Sequence, residues 1–454
     1  MIHSIIAHFK CFPFVFACSL FVSACDTSEM AIATQVLHQE TGFKPPALED
    51  MVMYEINPTA FSTTKDILGI QTRLDSLKLL GVNTLWIMPI YPVGQVNSFG
   101  SPYCVRNYKE VSPNRGTLDQ LRVFVQEAHK RNMAVILDWV ANHTSWDNEW
   151  MAHPEWYTQD ANGNIVHPAG TNWNDVADLN FDNAAMRLAM IDAMRFWVTS
   201  ADVDGFRCDA ADYVPFDFWK QAIDSLRLIP NKQLIMLAEG ARADHFTAGF
   251  QLNFSWTFMG TLKNVFAGTQ TVNALNTASV VENNFLPANC RKLRFSTNHD
   301  ESNISTPVTV YGGMQGALAA SVLSTFMQGV PLFYCGQEVG VNNTNVYNGT
   351  NTINWLQNPS MLSNYKKIIA IYTHSDAAKK GSIATNTHST IAGFTRISGV
   401  DTIAVIVNTR NTMQAYDVPN GIVGNWKNAM NNDAPISINP SMNVGAFQFY
   451  ILQK

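Results

Sequence analysis

Eight short apolar segments recur along residues 51–334 of this chain, and helical patterns lie between several of them. The strand-like segments are 51–56, 84–89, 135–140, 203–208, 234–238, 250–254, 293–296 and 331–334. The clearest helical patterns are 118–131, 184–199, 216–227 and 315–327. A buried parallel strand reads as a continuous apolar run, and alternation of such runs with helices is typical of an α/β fold. Eight of these runs predict a (β/α)8 TIM barrel.

Polar motifs follow four of the apolar segments, at the points where the strands would end. They are Asp138-Trp-Val-Ala-Asn-His143, Gly205-Phe-Arg-Cys-Asp209, Ala238-Glu239-Gly240 and Thr297-Asn-His-Asp300. In a (β/α)8 barrel the carboxyl ends of the strands meet on one face, and that face carries the active site. Three carboxylates gathered there suit cleavage of a glycosidic bond, which needs an acid and a carboxylate nucleophile. The sequence therefore predicts a glycoside hydrolase.

The size and charge of the chain indicate how many modules it has and which kinds of ligand it binds. Its 454 residues exceed the length of one barrel, about 250 residues, which predicts a second module. Charged residues make up 15% and the net charge is −6, which is not the basic surface of a nucleic-acid-binding protein. Aromatic residues make up 11%, and aromatic rings suit sugars, which have apolar faces and polar edges. We expect a neutral polar substrate, no nucleic acid and a monomer.

The barrel is expected to span residues 47–380, with a small excursion at 143–181 after the third strand. That connection is far longer than the usual strand-to-helix loop, and it predicts one wall of the cleft. After residue 380 the pattern changes to short β-rich runs at 391–397, 402–408, 436–438 and 446–452. Residues 381–454 are therefore predicted to form a small antiparallel β-sandwich that packs against the barrel.

Residues 1–24 are typical of an export signal, with a weakly positive start and a short apolar run. The tetrapeptide Val22-Ser23-Ala24-Cys25 resembles a bacterial lipobox, in which cleavage before Cys25 leaves that cysteine for lipidation. A simple secretory signal is the alternative, whereas the apolar run is too short for a membrane span. Residues 25–46 would then tether the enzyme to a membrane through its lipid, on the periplasmic face or the cell surface.

Four cysteines remain once Cys11, Cys18 and Cys25 are assigned to the signal segment. No C-x-x-C pattern occurs, so a zinc site is not expected. Cys208 alternates with Arg207 and Asp209 along its strand, so its thiol should point into the core and away from the site. The sequence leaves open a disulfide among Cys104, Cys290 and Cys335.

Taken in order and spacing, these motifs resemble those of the α-amylase family, glycoside hydrolase family 13, from residue 51 to the end. The resemblance is strongest to bacterial lipoprotein-type α-amylases, through Tyr54-Glu-Ile-Asn57, Leu137-Asp-Trp-Val-Ala-Asn-His-Thr144 and Gly205-Phe-Arg-Cys-Asp209. It implies that Asp209 is the nucleophile, Glu239 the acid/base and Asp300 the third carboxylate, which grips the distorted sugar.

The same resemblance implies substrate-binding roles around the three carboxylates. Arg207 would keep Asp209 oriented and ionised. His143 and His299 would hydrogen-bond the hydroxyls of the sugar being cleaved, and Tyr103 would stack beneath it. Asp138 and Asn142 are expected to be structural supports.

The chain also departs from the family pattern. Asp212 and Tyr213 stand where family members commonly carry Lys-His, which suggests weaker binding of leaving-side sugars and a bias toward short maltooligosaccharides. The Asp-rich calcium loop of many relatives is replaced around Thr59 and Ala60. The chemistry should require no cofactor. A structural calcium stays open, because Asn142, Asp178 and the Tyr213 carbonyl offer the oxygen ligands that calcium prefers.

The resemblance implies a retaining α-glucan hydrolase, an α-amylase or maltodextrin hydrolase, that cleaves α-1,4 bonds. A 4-α-glucanotransferase is the nearest alternative, because the same covalent intermediate can pass to a sugar. A neopullulanase-like or α-1,6-acting enzyme is a further one, since the segment Val176-Ala-Asp-Leu-Asn180 matches neither specificity pattern cleanly. A glycan-binding protein on an inactive barrel would have lost a carboxylate, and an aldolase would need a lysine at a strand end; neither feature is present.

Overall fold

The computed structural model describes residues 42–284, 286–344, 351–386 and 388–454. The strands that precede the C-terminal region are β1 (Met53–Ile56), β2 (Thr84–Ile87), β3 (Ala134–Val140), β4 (His143–Ser145), β5 (Val176–Asp178), β6 (Gly205–Asp209), β7 (Ile235–Ala238), β8 (Leu252–Phe254), β9 (Arg291–Arg294) and β10 (Val330–Tyr334). All except β4 and β5 join in one closed barrel, in the order β1-β10-β9-β8-β7-β6-β3-β2. Every pairing within the barrel is parallel. The TIM-barrel prediction is confirmed.

Helices connect and surround the strands. They are α1 (Pro58–Phe61), α2 (Ile67–Gln71), α3 (Leu74–Leu80), α4 (Leu118–Lys130), α5 (Ala184–Ala201), α6 (Phe216–Arg227), α7 (Asp244–Ala248), α8 (Trp256–Phe266), α9 (Val272–Asn283), α10 (His299–Ile304), α11 (Pro307–Val310), α12 (Met314–Phe326), α13 (Pro359–His374) and α14 (Asp376–Lys380). The four helical patterns read from the sequence correspond to α4, α5, α6 and α12. Helix α4 begins with a reciprocal cap between Thr117 and Gln120, which satisfies the first free backbone amides of the helix.

The barrel strands sort their side chains into two cores because successive residues of a strand point to opposite faces. Met53 points into the barrel interior, whereas Tyr54 and Ile56 pack outward against the helices. Cys208 lies in the outer core and is fully buried, as expected from its position between Arg207 and Asp209.

The excursion that follows β3 is built on the antiparallel pair β4–β5, in which His143 lies opposite Asp178. Two turns of 3-10 helix, Glu149–Ala152 and Pro154–Trp156, follow β4. The rings of Trp150 and Trp156 meet edge to face, with centroids 5.4 Å apart. The segment between residues 143 and 181 is thus a small folded unit with its own aromatic packing.

The C-terminal region contains β11 (Ser382–Thr385), β12 (Ile391–Ser398), β13 (Asp401–Asn408), β14 (Gln414–Asp417), β15 (Gly424–Asn428), β16 (Ala434–Ile438), β17 (Ser441–Val444) and β18 (Phe449–Gln453). They form a six-stranded sheet, β11-β12-β13-β18-β15-β16, and a two-stranded sheet, β14–β17. All of their pairings are antiparallel. Buried side chains shared by the two sheets, including Ile406, Tyr416 and Leu452, make a separate core. The antiparallel C-terminal module is confirmed.

Only the last five residues of the predicted tether, 42–46, lie within the described part of the chain. Residues 1–41, with Cys11, Cys18 and Cys25, lie outside the described residues. Phe43, which the sequence assigned to the tether, stacks on His129 with ring centroids 4.2 Å apart. The compact unit therefore begins at Gly42, a few residues before position 47. Across the described ranges, no helix has the length and apolarity needed to cross a membrane.

The cysteines of the described chain are all buried free thiols: Cys104, Cys208, Cys290 and Cys335. Cys104, Cys290 and Cys335 therefore form no disulfide with one another. Each thiol is enclosed by other parts of the fold; Cys104 donates to the Asp175 carbonyl at 3.1 Å and Cys335 accepts from the Asn57 amide at 3.3 Å.

Candidate active site

A cavity of about 260 Å³ opens at the carboxyl ends of the barrel strands. Every residue that the sequence assigned to chemistry or substrate binding, apart from Arg207 beneath it, lines this cavity. These lining residues are Tyr103, His143, Asp209, Glu239, His299 and Asp300. The strand register explains part of the convergence, because Asp138 on β3 lies beside Arg207 on β6 and Val140 lies beside Asp209.

Arg207 is fully buried and joins three carboxylates. Its Nη1 donates to Asp138 Oδ1 and to Asp209 Oδ1, both at 2.7 Å. Its Nη2 approaches Glu239 Oε2 at 2.9 Å, a charge contact without the alignment of a hydrogen bond. Burial alone would lower the pKa of Arg207, but the surrounding carboxylates raise it well above its usual value. One guanidinium thus fixes the relative positions of Asp209 and Glu239.

The two principal carboxylates have different pKa values. Burial, more than the neighbouring negative charges, raises the pKa of Glu239 to about 7, although Arg207 acts against it. Burial also raises the pKa of Asp209, to about 6, and the opposing charge of Arg207 does not cancel this rise. Burial favours the protonated form of Glu239, whereas the hydrogen bond from Arg207 favours the ionised form of Asp209. This is the division that an acid and a nucleophile require.

The backbone after Asp209 is held in an unusual conformation. Ala210 has φ of 45°, in the left-handed region that residues with a Cβ rarely adopt. In this conformation the Ala210 amide donates to Glu239 Oε2 at 2.7 Å. The Ala211 amide donates to the Glu239 carbonyl at 3.0 Å. The strained turn therefore ties the nucleophile's strand directly to the acid.

His299 is the centre of a second group of contacts. Its Nδ1 lies 2.5 Å from Glu55 Oε1, and its Nε2 lies 2.8 Å from the Tyr103 hydroxyl and 3.4 Å from Asp300 Oδ1. Burial lowers the pKa of His299, but Asp300 and Glu55 outweigh that effect and raise it to about 9. The Tyr103 ring lies nearly parallel to the His299 ring, with centroids 5.5 Å apart.

His143 also lines the cavity, as a neutral imidazole. Burial lowers its pKa to about 4. The Asn142 amide nitrogen lies 3.3 Å from His143 Nδ1; because an amide nitrogen can only donate, Nδ1 accepts and Nε2 carries the proton. The ring meets Trp173 edge to face at 5.6 Å, and Trp173 in turn contacts Tyr213 at 5.3 Å.

Asp212, the residue that replaces the family lysine, turns toward a neighbouring loop. Its carboxylate accepts from the backbone amides of Ala241 at 3.1 Å and Arg242 at 3.3 Å. His245 Nε2 lies 3.4 Å from it, and Asp212 is absent from the residues that line the cavity. The loop after Glu239 is thereby pinned to the loop after Asp209.

Two of the residues considered for calcium have side-chain contacts within the protein. The Asn142 amide contacts His143, and the Asp178 carboxyl hydrogen-bonds Thr158. Within the described ranges, no three His, Cys, Asp or Glu side chains gather in a way that would hold a metal ion.

Sequence reasoning missed several contributors to the site. Glu55 belongs to the motif Tyr54-Glu-Ile-Asn57, but no role was predicted for it from the sequence. Its position near the carboxyl end of a barrel strand is the same signal that identifies Asp138, Asp209 and Glu239. Trp86, at the end of β2, donates to Asp138 Oδ2 at 3.0 Å and lies under Arg207, 4.9 Å from the guanidinium carbon. Trp173 lies in the excursion, where no periodic pattern marks it.

Comparison with known proteins agrees with this geometry. The family model "Alpha amylase, catalytic domain" matches residues 55–165 and 169–431. Alpha-amylase 3 of Dictyoglomus thermophilum is 28% identical over 341 residues, 66% of each chain. Alpha-amylase MalA of Haloarcula japonica is 28% identical over 309 residues, 65% of this chain and 45% of that protein. The matched segments thus span just under two thirds of the first relative and less than half of the second.

Among solved structures, the maltogenic alpha-amylase AmyB of Thermotoga neapolitana is similar with a TM-score of 0.80 and 26% identity. The match covers 90% of this chain and 99% of that one, so it includes both the barrel and the C-terminal module. The residues matched by the family model include Asp209, Glu239 and Asp300. The chain therefore belongs to the α-amylase family of glycoside hydrolases.

Proposed function

We propose that this protein hydrolyses α-1,4-glucosidic bonds in starch-type oligo- and polysaccharides with retention of the anomeric configuration. The observation that carries the proposal is the shared guanidinium: Arg207 holds Asp209 and Glu239 together, while burial raises the pKa of Glu239 toward the protonated state that an acid needs. Carboxyl groups of retaining enzymes are about 5–5.5 Å apart, closer than in inverting enzymes. Two carboxylates that contact one guanidinium fit the closer spacing.

The proposed reaction is a double displacement. Asp209 attacks the anomeric carbon as Glu239 gives its proton to the glycosidic oxygen, so that the C–O bond breaks and a glycosyl ester forms on Asp209. Glu239, now ionised, then takes a proton from water as that water attacks the anomeric carbon and releases Asp209. Asp300, His143 and His299 would bind hydroxyls of this sugar, with Tyr103 beneath its ring.

The resident groups supply this chemistry without a cofactor. Arg207 keeps Asp209 ionised near neutral pH and oriented, and the Ala210 amide holds one oxygen of Glu239. Asp300 Oδ1 lies 3.4 Å from His299 Nε2 at the cavity wall, where both can reach the same sugar. The ring of Trp173 and the exposed ring of Tyr213 would offer apolar faces to a leaving-side sugar.

Product analysis separates hydrolysis from the two alternatives. Maltoheptaose, pullulan and soluble starch would each be incubated with the enzyme, and products resolved by mass spectrometry. We expect shorter maltooligosaccharides from maltoheptaose and starch, with Glu239→Gln as the inactive control. Products longer than maltoheptaose would indicate a 4-α-glucanotransferase, and efficient cleavage of pullulan would indicate a neopullulanase-like or α-1,6-acting enzyme.

We also propose that the protein is exported and anchored to a bacterial membrane by lipid on Cys25. Support comes from Val22-Ser23-Ala24-Cys25 directly after a short apolar run. Two acyl chains are enough for stable attachment to a bilayer. In the native host the protein should partition into detergent and carry a lipid mass at its N-terminus, whereas Cys25→Ser should be soluble and active. An intact mass without lipid would contradict the proposal.

A further inference from the structure

Glu55 is a fully buried carboxylate on the barrel strand β1. Met53, two residues earlier on the same face, belongs to the apolar barrel interior, so Glu55 is the next residue toward the cavity. It is not among the residues that line the cavity. A buried carboxylate is costly unless a partner offsets the loss of hydration. The closest charged partner is His299, whose Nδ1 lies 2.5 Å from Glu55 Oε1.

This contact determines the direction of a chain of hydrogen bonds. Burial raises the pKa of Glu55, but the charges of His299 and Arg207 act against that rise and favour the carboxylate. A carboxylate can only accept, so His299 Nδ1 carries a proton. The Tyr103 hydroxyl lies 2.8 Å from His299 Nε2 and 3.2 Å from Asp138 Oδ2. If Nε2 is also protonated, Tyr103 accepts from His299 and donates to Asp138, which also accepts from Arg207. If Nε2 is bare, it competes with Asp138 for the single proton of Tyr103.

We propose that Glu55 is a positioning residue that holds His299 as a donor from both ring nitrogens, so that Tyr103 accepts from Nε2–H and donates to Asp138, and Nε2–H is available to a sugar hydroxyl when substrate binds. Glu55 would act only through His299, because it is walled off from the cavity. The effect on catalysis rests on the proposed function; the effect on His299 does not.

The surroundings of His299 support the assignment of Glu55 to this role. Asp300 follows it on α10, and the Trp86 ring on β2 meets its edge at 5.7 Å. Arg207 on β6 opposes a charge on the imidazole, while Asp138 on β3 favours it. Asp300 is part of the proposed sugar site and should exchange contacts when substrate binds. Glu55 is enclosed by the barrel and stays beside Nδ1 throughout.

The direct test is the titration of His299 in the full folded domain by NMR of labelled histidine, with the signal assigned by its loss in His299→Gln. The wild-type pKa should be about 9. In Glu55→Gln, which keeps shape and removes charge, it should fall by about one unit or more. Glu338→Gln is the matched control: Glu338 is also buried beside β1, but it accepts from the Tyr54 hydroxyl at 2.6 Å on the outer face. An unchanged His299 pKa in Glu55→Gln overturns the proposal.

Kinetics tests whether Glu55 acts through His299. The losses of kcat/KM in Glu55→Gln and His299→Gln should not add in the double variant, because both remove the same donor. Additive losses would contradict the proposal, whereas an inactive wild type would reject the proposed function and leave the NMR test standing. If Glu55→Gln does not fold, His299 is titrated in Glu55→Asp instead. The shorter aspartate carboxylate lies farther from Nδ1, so the pKa of His299 should fall. A His299 pKa equal to that of the wild type overturns the proposal.

Discussion

The two halves of the barrel interior are built from the same strands but differ in polarity and in role. Toward the amino-terminal ends the interior is apolar, with Met53, Ile136 and Leu237 in one cluster. Two residues further along the same strands lie Glu55, Asp138 and Glu239. Because the pleat repeats every two residues, each of these three strands places an apolar side chain beneath its carboxylate. The apolar layer stabilises the barrel, and it supports a charged layer that burial alone would destabilise.

The comparison also shows why the charged half is tolerated. Asp138, Asp209 and Glu239 share Arg207, and Glu55 is paired with His299. Buried charges persist in proteins when they are paired and hydrogen-bonded. Burial raises the pKa of Glu239, so the desolvation that destabilises the charged layer also prepares its acid for proton transfer.

The largest expected effect comes from the charged layer. Asp209→Asn and Glu239→Gln should each lower kcat by about a thousandfold or more, because they remove the nucleophile and the proton donor. Both substitutions keep side-chain shape, so thermal unfolding should occur within a few degrees of the wild type. Turnover on maltoheptaose and differential scanning calorimetry measure the two quantities. Near-normal turnover of either variant would remove that residue from the chemistry.

The apolar layer should respond in the opposite way. Leu293 is fully buried in the interior cluster. Leu293→Ala leaves a cavity there and should lower the free energy of unfolding by about 2–5 kcal/mol. Turnover per folded molecule should change little, since Leu293 is not among the residues that line the cavity. Denaturant midpoints together with active-site-normalised kcat provide the check; a large loss of kcat at full folding would contradict the division into two layers.

The pH dependence of activity follows from the charged layer. Asp209 must be ionised, so kcat/KM should fall about tenfold per unit as pH drops below its pKa of about 6. Glu239 must be protonated, so kcat/KM should fall as pH rises above its pKa of about 7. The result is a narrow bell. Both groups contact Arg207, so the two apparent pKa values of the profile describe the coupled pair and not either residue alone. A flat profile across both limbs would contradict the pKa ordering.

The smallest effect concerns Asp212, outside both layers. Asp212→Lys removes the acceptor for the Ala241 and Arg242 amides and should cost about 1 kcal/mol per lost hydrogen bond. It should also shift the products of maltoheptaose while barely changing hydrolysis of an aryl maltoside. Asp212→Asn, which retains an acceptor oxygen, is the control. A lower melting temperature with unaltered product ratios would leave Asp212 with a structural role alone.

Much of the fold was predictable because buried parallel strands are continuous apolar runs. The prediction placed strand β9 at 293–296, whereas it spans Arg291–Arg294, because its basic residues interrupt the apolar run. Arg294 is nevertheless buried, in an ion pair with Glu282. Strands β11, β14, β15 and β17 were not predicted, because they are short and largely polar.

The site was predictable where one strand end carries one reactive group, as for Asp209 and Glu239. Contacts between distant segments were not: Glu55 and His299 are far apart in sequence, and only closure of the barrel brings them together. The same holds for Asp212, whose partners belong to the next loop. Residue type and spacing identify the chemistry, whereas tertiary geometry assigns the supporting contacts.

The most direct test of the central claim is the anomeric configuration of the first product. Asp209 as nucleophile requires two inversions at the anomeric carbon, so hydrolysis of maltoheptaose should release the α-anomer first. Proton NMR, recorded before mutarotation, distinguishes the anomers. Initial release of the α-anomer is the predicted result; initial release of the β-anomer would contradict the assignment of Asp209 as nucleophile and Glu239 as acid.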